Sequence, residues 1–260
     1  MSKQQMSRLV AAMALAAMAA GCGNSTGTDG TGSGGRIRAQ VVTATGDLTT
    51  SLTQFRGLLG DPANTTPGEQ PTGRREINWD GVGAALLNVN NFPGDQFNRV
   101  VPRGQIFTTP GTGFRVSDNA LFDLEPSDST QFSAFSPIKT FVPIGSPIVD
   151  VKFRVAGSDT PAVVTGFGVV FSDVDRNTSA SIEYFRPDGR TLGKIFAPVR
   201  SDARGHSFAG VVFDTAVVAR VRIVAGDASV AAGRKDVSAG GTDDLVDTDD
   251  FIAGEPHPIP

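Results

Sequence analysis

Ile148-Val149-Asp150-Val151-Lys152-Phe153-Arg154-Val155 decides the fold class of this chain. Val149, Val151, Phe153 and Val155 alternate with Asp150, Lys152 and Arg154. A strand sends successive side chains to opposite faces, so this pattern gives one buried and one wet face. Downstream the pattern continues. Ala162–Phe171 is apolar on both faces with Gly166 and Gly168 inside, which predicts a central strand that something approaches closely. Ser181–Phe185 and Thr191–Phe196 flank Arg186-Pro187-Asp188-Gly189, a hairpin turn. Ser207–Phe213 and Val217–Val224 read as two more strands, and a last short one is expected near Phe251-Ile252.

The first third is mixed. Leu48, Leu52, Phe55 and Leu59 fall on one helical face, with Asp47 placed to cap it and Gly60 to end it. A helical turn is expected around Val82–Leu87, and Asp61–Gly73 reads as a loop. Many short strands with little helix predict a mainly β fold: an antiparallel, jelly-roll-like β-sandwich with one or two short N-terminal helices. The 17 Phe supply core volume, and a chain of this length can bury enough surface to fold without a disulfide.

Upstream, Lys3 and Arg8 precede an apolar run, Leu9–Ala20, which ends at Gly21-Cys22. A basic head, a short apolar run and small residues at the cut are the pattern of an export signal. Ala19-Ala20-Gly21-Cys22 resembles a bacterial lipoprotein box, with Ala where that box usually has Leu. Cys22 is therefore the expected lipidation site. Ordinary cleavage near Ala19, without lipid, is the competing reading. Cys22 is the single cysteine, so no internal disulfide is available to it. Residues 23–35, GNSTGTDGTGSGG, read as a flexible tether. The expected organisation is a signal peptide at 1–21, a tether at 22–35 and one β-sandwich domain at 36–260. The expected location is the cell envelope, lipid-anchored and facing outside the cytoplasm, at the outer membrane or cell surface. A secreted soluble protein is the alternative.

Losing Lys3 and Arg8 with the signal leaves 21 basic against 27 acidic residues, a net charge of −6. A mildly acidic chain lacks the basic footprint of a nucleic-acid binder and the polybasic patch of a lipid-surface binder. Membrane contact is expected through the N-terminal lipid only, and any partner is expected to be a surface glycan or a protein.

Phe55-Arg56 with Leu59-Gly60, Gly73-Arg74-Arg75-Glu76-Ile77-Asn78-Trp79-Asp80-Gly81, Gly166-Phe167-Gly168 with Phe171-Ser172-Asp173-Val174-Asp175, Asp249-Asp250-Phe251 and Gly254-Glu255-Pro256 carry a resemblance. Together they resemble a set of uncharacterised secreted bacterial β-sandwich proteins, some with PEP-CTERM-type sorting tails. Here a lipoprotein-type signal stands in place of such a tail. The resemblance spans nearly all of the expected mature domain and implies a jelly-roll-like sandwich. It implies no activity and no catalytic residues.

Among chemistry-bearing motifs, Asp173-Val174-Asp175-Arg176-Asn177 stands out. Oxygen ligands at positions one, three and five of a turn match the opening of a calcium loop. Thr178 and Tyr184 replace the Gly and Glu that an EF-hand requires, so Asp173, Asp175 and Asn177 are expected as a partial loop completed by acids from elsewhere. Asp243, Asp244, Asp247, Asp249 and Asp250 supply such acids; so dense a run repels itself unless solvated or neutralised. The expected cofactor is a structural Ca2+. The competing reading makes both segments solvated turns, where Asp and Asn serve as turn formers.

Other chemistries are poorly supported. Gly205-His206-Ser207-Phe208-Ala209 imitates a nucleophile elbow but leads into a strand rather than a helix. Two histidines and no cysteine in the folded part fall short of a zinc set. Gly81-Val82-Gly83 and Gly166-Phe167-Gly168 lack a dinucleotide loop's third glycine. A glycosidase needs two carboxylates across a cleft, and sequence alone pairs none. Trp79 and Tyr184 are the one Trp and the one Tyr, and Trp79 reads as a core anchor rather than a sugar platform. The expectation is a non-enzymatic envelope module, binding or structural. A carbohydrate-active enzyme or glycan-binding module on the same fold is the alternative, and an assembly subunit pairing through an edge strand is a third reading.

Overall fold

The computed structural model describes residues 37–259; the expected export signal, Cys22 and the expected tether lie outside them. In chain order the elements begin with β1 (Ala39–Thr45), α1 (Thr49–Leu59), β2 (Arg74–Ile77), α2 (Gln96–Arg99), β3 (Gln105–Thr108) and β4 (Gly113–Ser117). There follow α3 (Asp128–Gln131), β5 (Thr140–Ile144), β6 (Ile148–Phe153), β7 (Ala162–Val163), β8 (Gly166–Ser172) and β9 (Ser181–Phe185). The last are β10 (Thr191–Phe196), β11 (His206–Phe213), β12 (Arg220–Val224), β13 (Asp247–Gly254) and β14 (His257–Pro258).

The fold is mainly β, as the alternation predicts. One sheet runs β1-β11-β8-β13-β5-β4, with β2 sharing the same edge of β13 as β5; the other runs β10-β9-β12-β6-β3. Every strand ladder is antiparallel. Val149, Val151 and Phe153 from β6 interdigitate with Phe167, Val169 and Phe171 from β8 in one core between the sheets. At about 25 cal/mol per Å2 of buried apolar surface, such a layer is the main stabilising term.

Trp79 anchors this core. It is 1% exposed and stacks on Phe141 at 4.1 Å between ring centroids. Its indole N–H donates to the Asp249 carbonyl at 3.1 Å, which satisfies the one polar group it buries. Tyr184 is equally buried, and its hydroxyl donates to the Phe167 carbonyl at 2.8 Å. Neither ring presents a face to solvent.

The outer face of the larger sheet carries two caps. The first is α1. Leu48, Leu52, Phe55 and Leu59 pack on Val170, Phe208, Val212 and Ile252. The Thr49 amide donates to Asp47 at 3.0 Å, and Gly60 closes the helix. The second cap packs Leu121 and Phe132, from around residues 118–138, and Val230 and Leu245, from around 226–245, on Val142 of β5. Among the described residues, no helix is long and apolar enough to cross a membrane.

Several elements differ from the sequence expectation: β1 to β5, α2 and α3 are not singled out there, and β12 starts at Arg220 rather than Val217. The 162–171 strand divides into β7 and β8, because Val164 and Thr165 leave the ladder to meet Val218 and Phe213. The turn at 82–87 shortens to a 3-10 turn over Ala84–Leu86. Most consequentially, the terminal strand starts at Asp247, so three aspartates of the acidic run belong to a wholly buried strand.

Candidate metal centre

The apolar run of β8 ends at Ser172, and Asp173 follows in the left-handed region at φ 63°. Aspartate tolerates that conformation better than most side chains. Its amide donates to the Gly205 carbonyl at 2.9 Å. Asp175 stands two residues on. The turn that follows is tied down by Asp244, whose Oδ2 accepts from the Asp175 amide at 3.1 Å, the Arg176 amide at 2.7 Å and the Ser179 hydroxyl at 2.5 Å.

Asp236 reaches the same point from the loop before β13. Its Oδ1 accepts from the Leu245 amide at 2.7 Å, and its Oδ2 from the Ser238 amide and hydroxyl, each at 2.6 Å. Gly226 allows this loop to close: a Cβ there would lie 2.3 Å from the Asp244 carbonyl oxygen. Asp173, Asp175 and Asp236 thereby each present an oxygen within 4.8 Å of the others.

Unlike a solvated acidic patch, this centre is largely buried, with Asp175 half-buried, and it is short of donors. Asp173, Asp236, Asp244 and Asp247 are each 0% exposed, and so is Asp128 on α3. Both carboxylate oxygens of Asp128, Asp173, Asp175 and Asp247, and Oδ1 of Asp244, have no hydrogen-bond partner. Among the described residues, no basic side chain forms an ion pair with any of these acids or with Asp236. Arg176, the nearest basic residue in sequence, turns outward to pair with Asp227 and donates to the Thr242 carbonyl.

An ionised carboxylate taken out of water without a partner is costly, so such groups hold a proton or a cation. Burial, followed by the charge of Asp236, pushes the Asp173 carboxyl up to about 8. Burial and Asp236 push Asp175 up to about 7. Burial, then Glu125 and Asp236, push Asp128 up to about 7. Asp244 and Asp247 are also raised, chiefly by burial.

Of the residues expected from sequence, Asp173 and Asp175 are brought together with Asp236, and Asn177 is exposed in the turn that follows. Within the acidic run, Asp244 supports the turn. Asp243 is half-exposed and lies 3.8 Å from Arg234. Asp249 caps the Phe135 and Ser136 amides at 2.6 and 2.9 Å, and Asp250 lies 3.5 Å from Arg56. Sequence reasoning missed Asp236 and Asp128. The available signal for Asp236 was Asp236-Val237-Ser238 before Gly240-Gly241, an aspartate-initiated turn.

The centre is therefore an all-oxygen, polyanionic, buried donor set. Oxygen donors of this kind suit hard cations, whereas zinc and copper sites draw on His and Cys.

No protein-family model matches the chain, and no curated protein matches it. Among solved structures it is similar to the enzymatically active domain of tailspike protein 4 of bacteriophage CBA120, at 13% identity and a TM-score of 0.20. The match covers 55% of this chain and 21% of that one, so the chain spans about a fifth of that structure. A likeness at this level carries no argument about fold or function.

Proposed function

We propose that this chain is an exported, envelope-anchored β-sandwich module, non-catalytic, whose capped end is locked by a bound calcium ion. The cation joins Asp173 and Asp175, at the end of β8, to Asp236 in the loop before β13. Cys22 carries the lipid anchor, and the 22–35 tether lets the module stand off the membrane.

The observation that carries the reading is that the carboxylate oxygens of Asp173 and Asp175, grouped with Asp236, are buried without donors. A dication satisfies them and offsets their mutual repulsion in one step. The chemistry favours calcium over magnesium. Calcium accepts six to eight irregularly placed oxygens, whereas magnesium holds to a near-octahedral, largely hydrated shell. The export pattern agrees, because extracellular modules meet calcium at concentrations that fill even weak sites. Burial of both Trp79 and Tyr184 withdraws the aromatic platforms a sugar-binding face would use, which favours this module over the glycan reading.

Thermal melting with millimolar calcium and with chelator tests the lock. A ligand present at a hundredfold over its Kd and bound only to the folded state adds about 2.7 kcal/mol, which raises Tm by roughly 5–10 °C in a domain of this size. Equal melting curves in calcium and chelator would sink the reading. For the anchor, the expected result is that Cys22→Ser moves the protein from the membrane to the soluble fraction. A wild-type protein already soluble after export would remove the lipid from the proposal.

A further inference from the structure

The three-acid group leaves part of the cap unexplained. Asp247 is 0% exposed, both its oxygens lack a partner, and it lies outside the group. Ladder register places it. Asp247 pairs with Ser172, the residue before Asp173, and the next residue, Thr248, pairs with Phe141. Phe141 belongs to the core between the sheets. Side chains alternate along a strand, so Thr140, Val142 and Asp247 face the opposite way, into the second cap. Val142 does pack there, against Phe132 and Leu245.

Asp128 lies near enough to Asp247 for its charge to help raise that carboxyl. It begins α3, and its carbonyl accepts the Phe132 amide at 2.8 Å, which ties it to the ring lying over Val142. Both its carboxylate oxygens lack a partner, as does the buried Thr140 hydroxyl. A hydroxyl, like a carboxylate, is an oxygen ligand for a hard cation.

Charge points the same way. Asp128, Asp173, Asp175, Asp236, Asp244 and Asp247 carry six formal negative charges in one cap, and a single dication offsets two. Protonation would remove charge from Asp128 and Asp247, but Asp128 would still bury a second oxygen without a donor. Resting on the reading of the three-acid group as a calcium site, we infer that a second divalent cation binds beside the first, held by Asp128, Asp247 and the Thr140 hydroxyl. Thr140 also lines a surface cavity of about 290 Å3 with Phe132, Ser133 and Arg204.

Native mass spectrometry and calorimetric titration of the whole chain with calcium test the inference. Two ions per wild-type chain are expected, falling to one in Asp247→Asn and in Asp128→Asn, with each variant's fold checked by near-ultraviolet circular dichroism. Asp175→Asn should lose the first ion instead. One ion in the wild type, unchanged in both Asn variants, overturns the second position and leaves the first standing. No ion at all overturns both. Two ions retained in both variants place the second ion elsewhere and also overturn the inference.

Discussion

Phe55 of α1 meets Phe208 of β11 edge to face, with 5.0 Å between ring centroids, directly over the backbone of Gly168. A Cβ on Gly168 would lie 2.7 Å from the Phe208 ring and 2.9 Å from that of Phe55. Gly168→Ala is therefore an overpacking change, expected to cost about 1–3 kcal/mol. Urea denaturation should show a lower midpoint at unchanged slope. A Gly168→Ala protein as stable as wild type would mean that α1 does not sit on the sheet as described.

Arg75 and Glu255 form an ion pair with almost no access to water, their side chains 0% and 1% exposed. The guanidinium meets both carboxylate oxygens, at 2.6 and 2.7 Å, and donates to the Thr66, Gly68 and Pro102 carbonyls. Glu255 also accepts from Asn64 and the Gln70 amide, so the pair ties the 61–73 loop to the end of β13. Removing one partner strands the other charge. Glu255→Ala is expected to cost about 3–5 kcal/mol. Adding Arg75→Met removes the stranded charge, so the double variant should be more stable than the sum of the single losses. Simple additivity in the cycle would show that the two residues act separately.

The pH dependence of the calcium-free protein has a definite sign. Asp173 titrates near 8, and Asp128 and Asp175 near 7, against about 3.9 for an unfolded aspartate. Between those values the folded state holds protons that the unfolded state has released, so stability falls as pH rises. In chelator, Tm should fall steadily between pH 5 and pH 8.5, by about 2–4 °C for each kcal/mol lost at this size. In calcium the fall over that window should flatten, because the ion displaces those protons from the folded state. A chelator curve that is flat or rises with pH would contradict the buried centre.

How far the sequence could be read depended on whether a signal was local. The alternation of Val149, Val151 and Phe153 is local, and β6 forms where it predicts. Gly168 announced a close approach, yet nothing within the strand could say that the approaching rings belong to Phe55 and Phe208. The acidic run read as solvated or neutralised charge. Burial of Asp247–Asp250 depends on two caps contributed by segments far away in the chain. Asp173 and Asp175 were visible as a spaced pair. Asp236 was not, because only loop closure at Gly226 and the amide of Leu245 bring it to them.

Asp173→Asn separates the electrostatic reading of the centre from every purely structural one. Neither carboxylate oxygen of Asp173 has a hydrogen bond to lose, and asparagine tolerates the left-handed φ of 63° as readily as aspartate. The substitution therefore changes charge and little else. In chelator at pH 8 it removes a buried, repelled carboxylate and should raise Tm. In calcium it removes a ligand and should lower Tm and weaken calcium binding by tenfold or more, each tenfold being about 1.4 kcal/mol. The two melting curves should thus move in opposite directions on one substitution. A variant less stable than wild type in both conditions would mean that Asp173 serves the fold through contacts other than its charge. A variant indifferent to calcium and unchanged in chelator would mean that the carboxylate is neutralised in some other way.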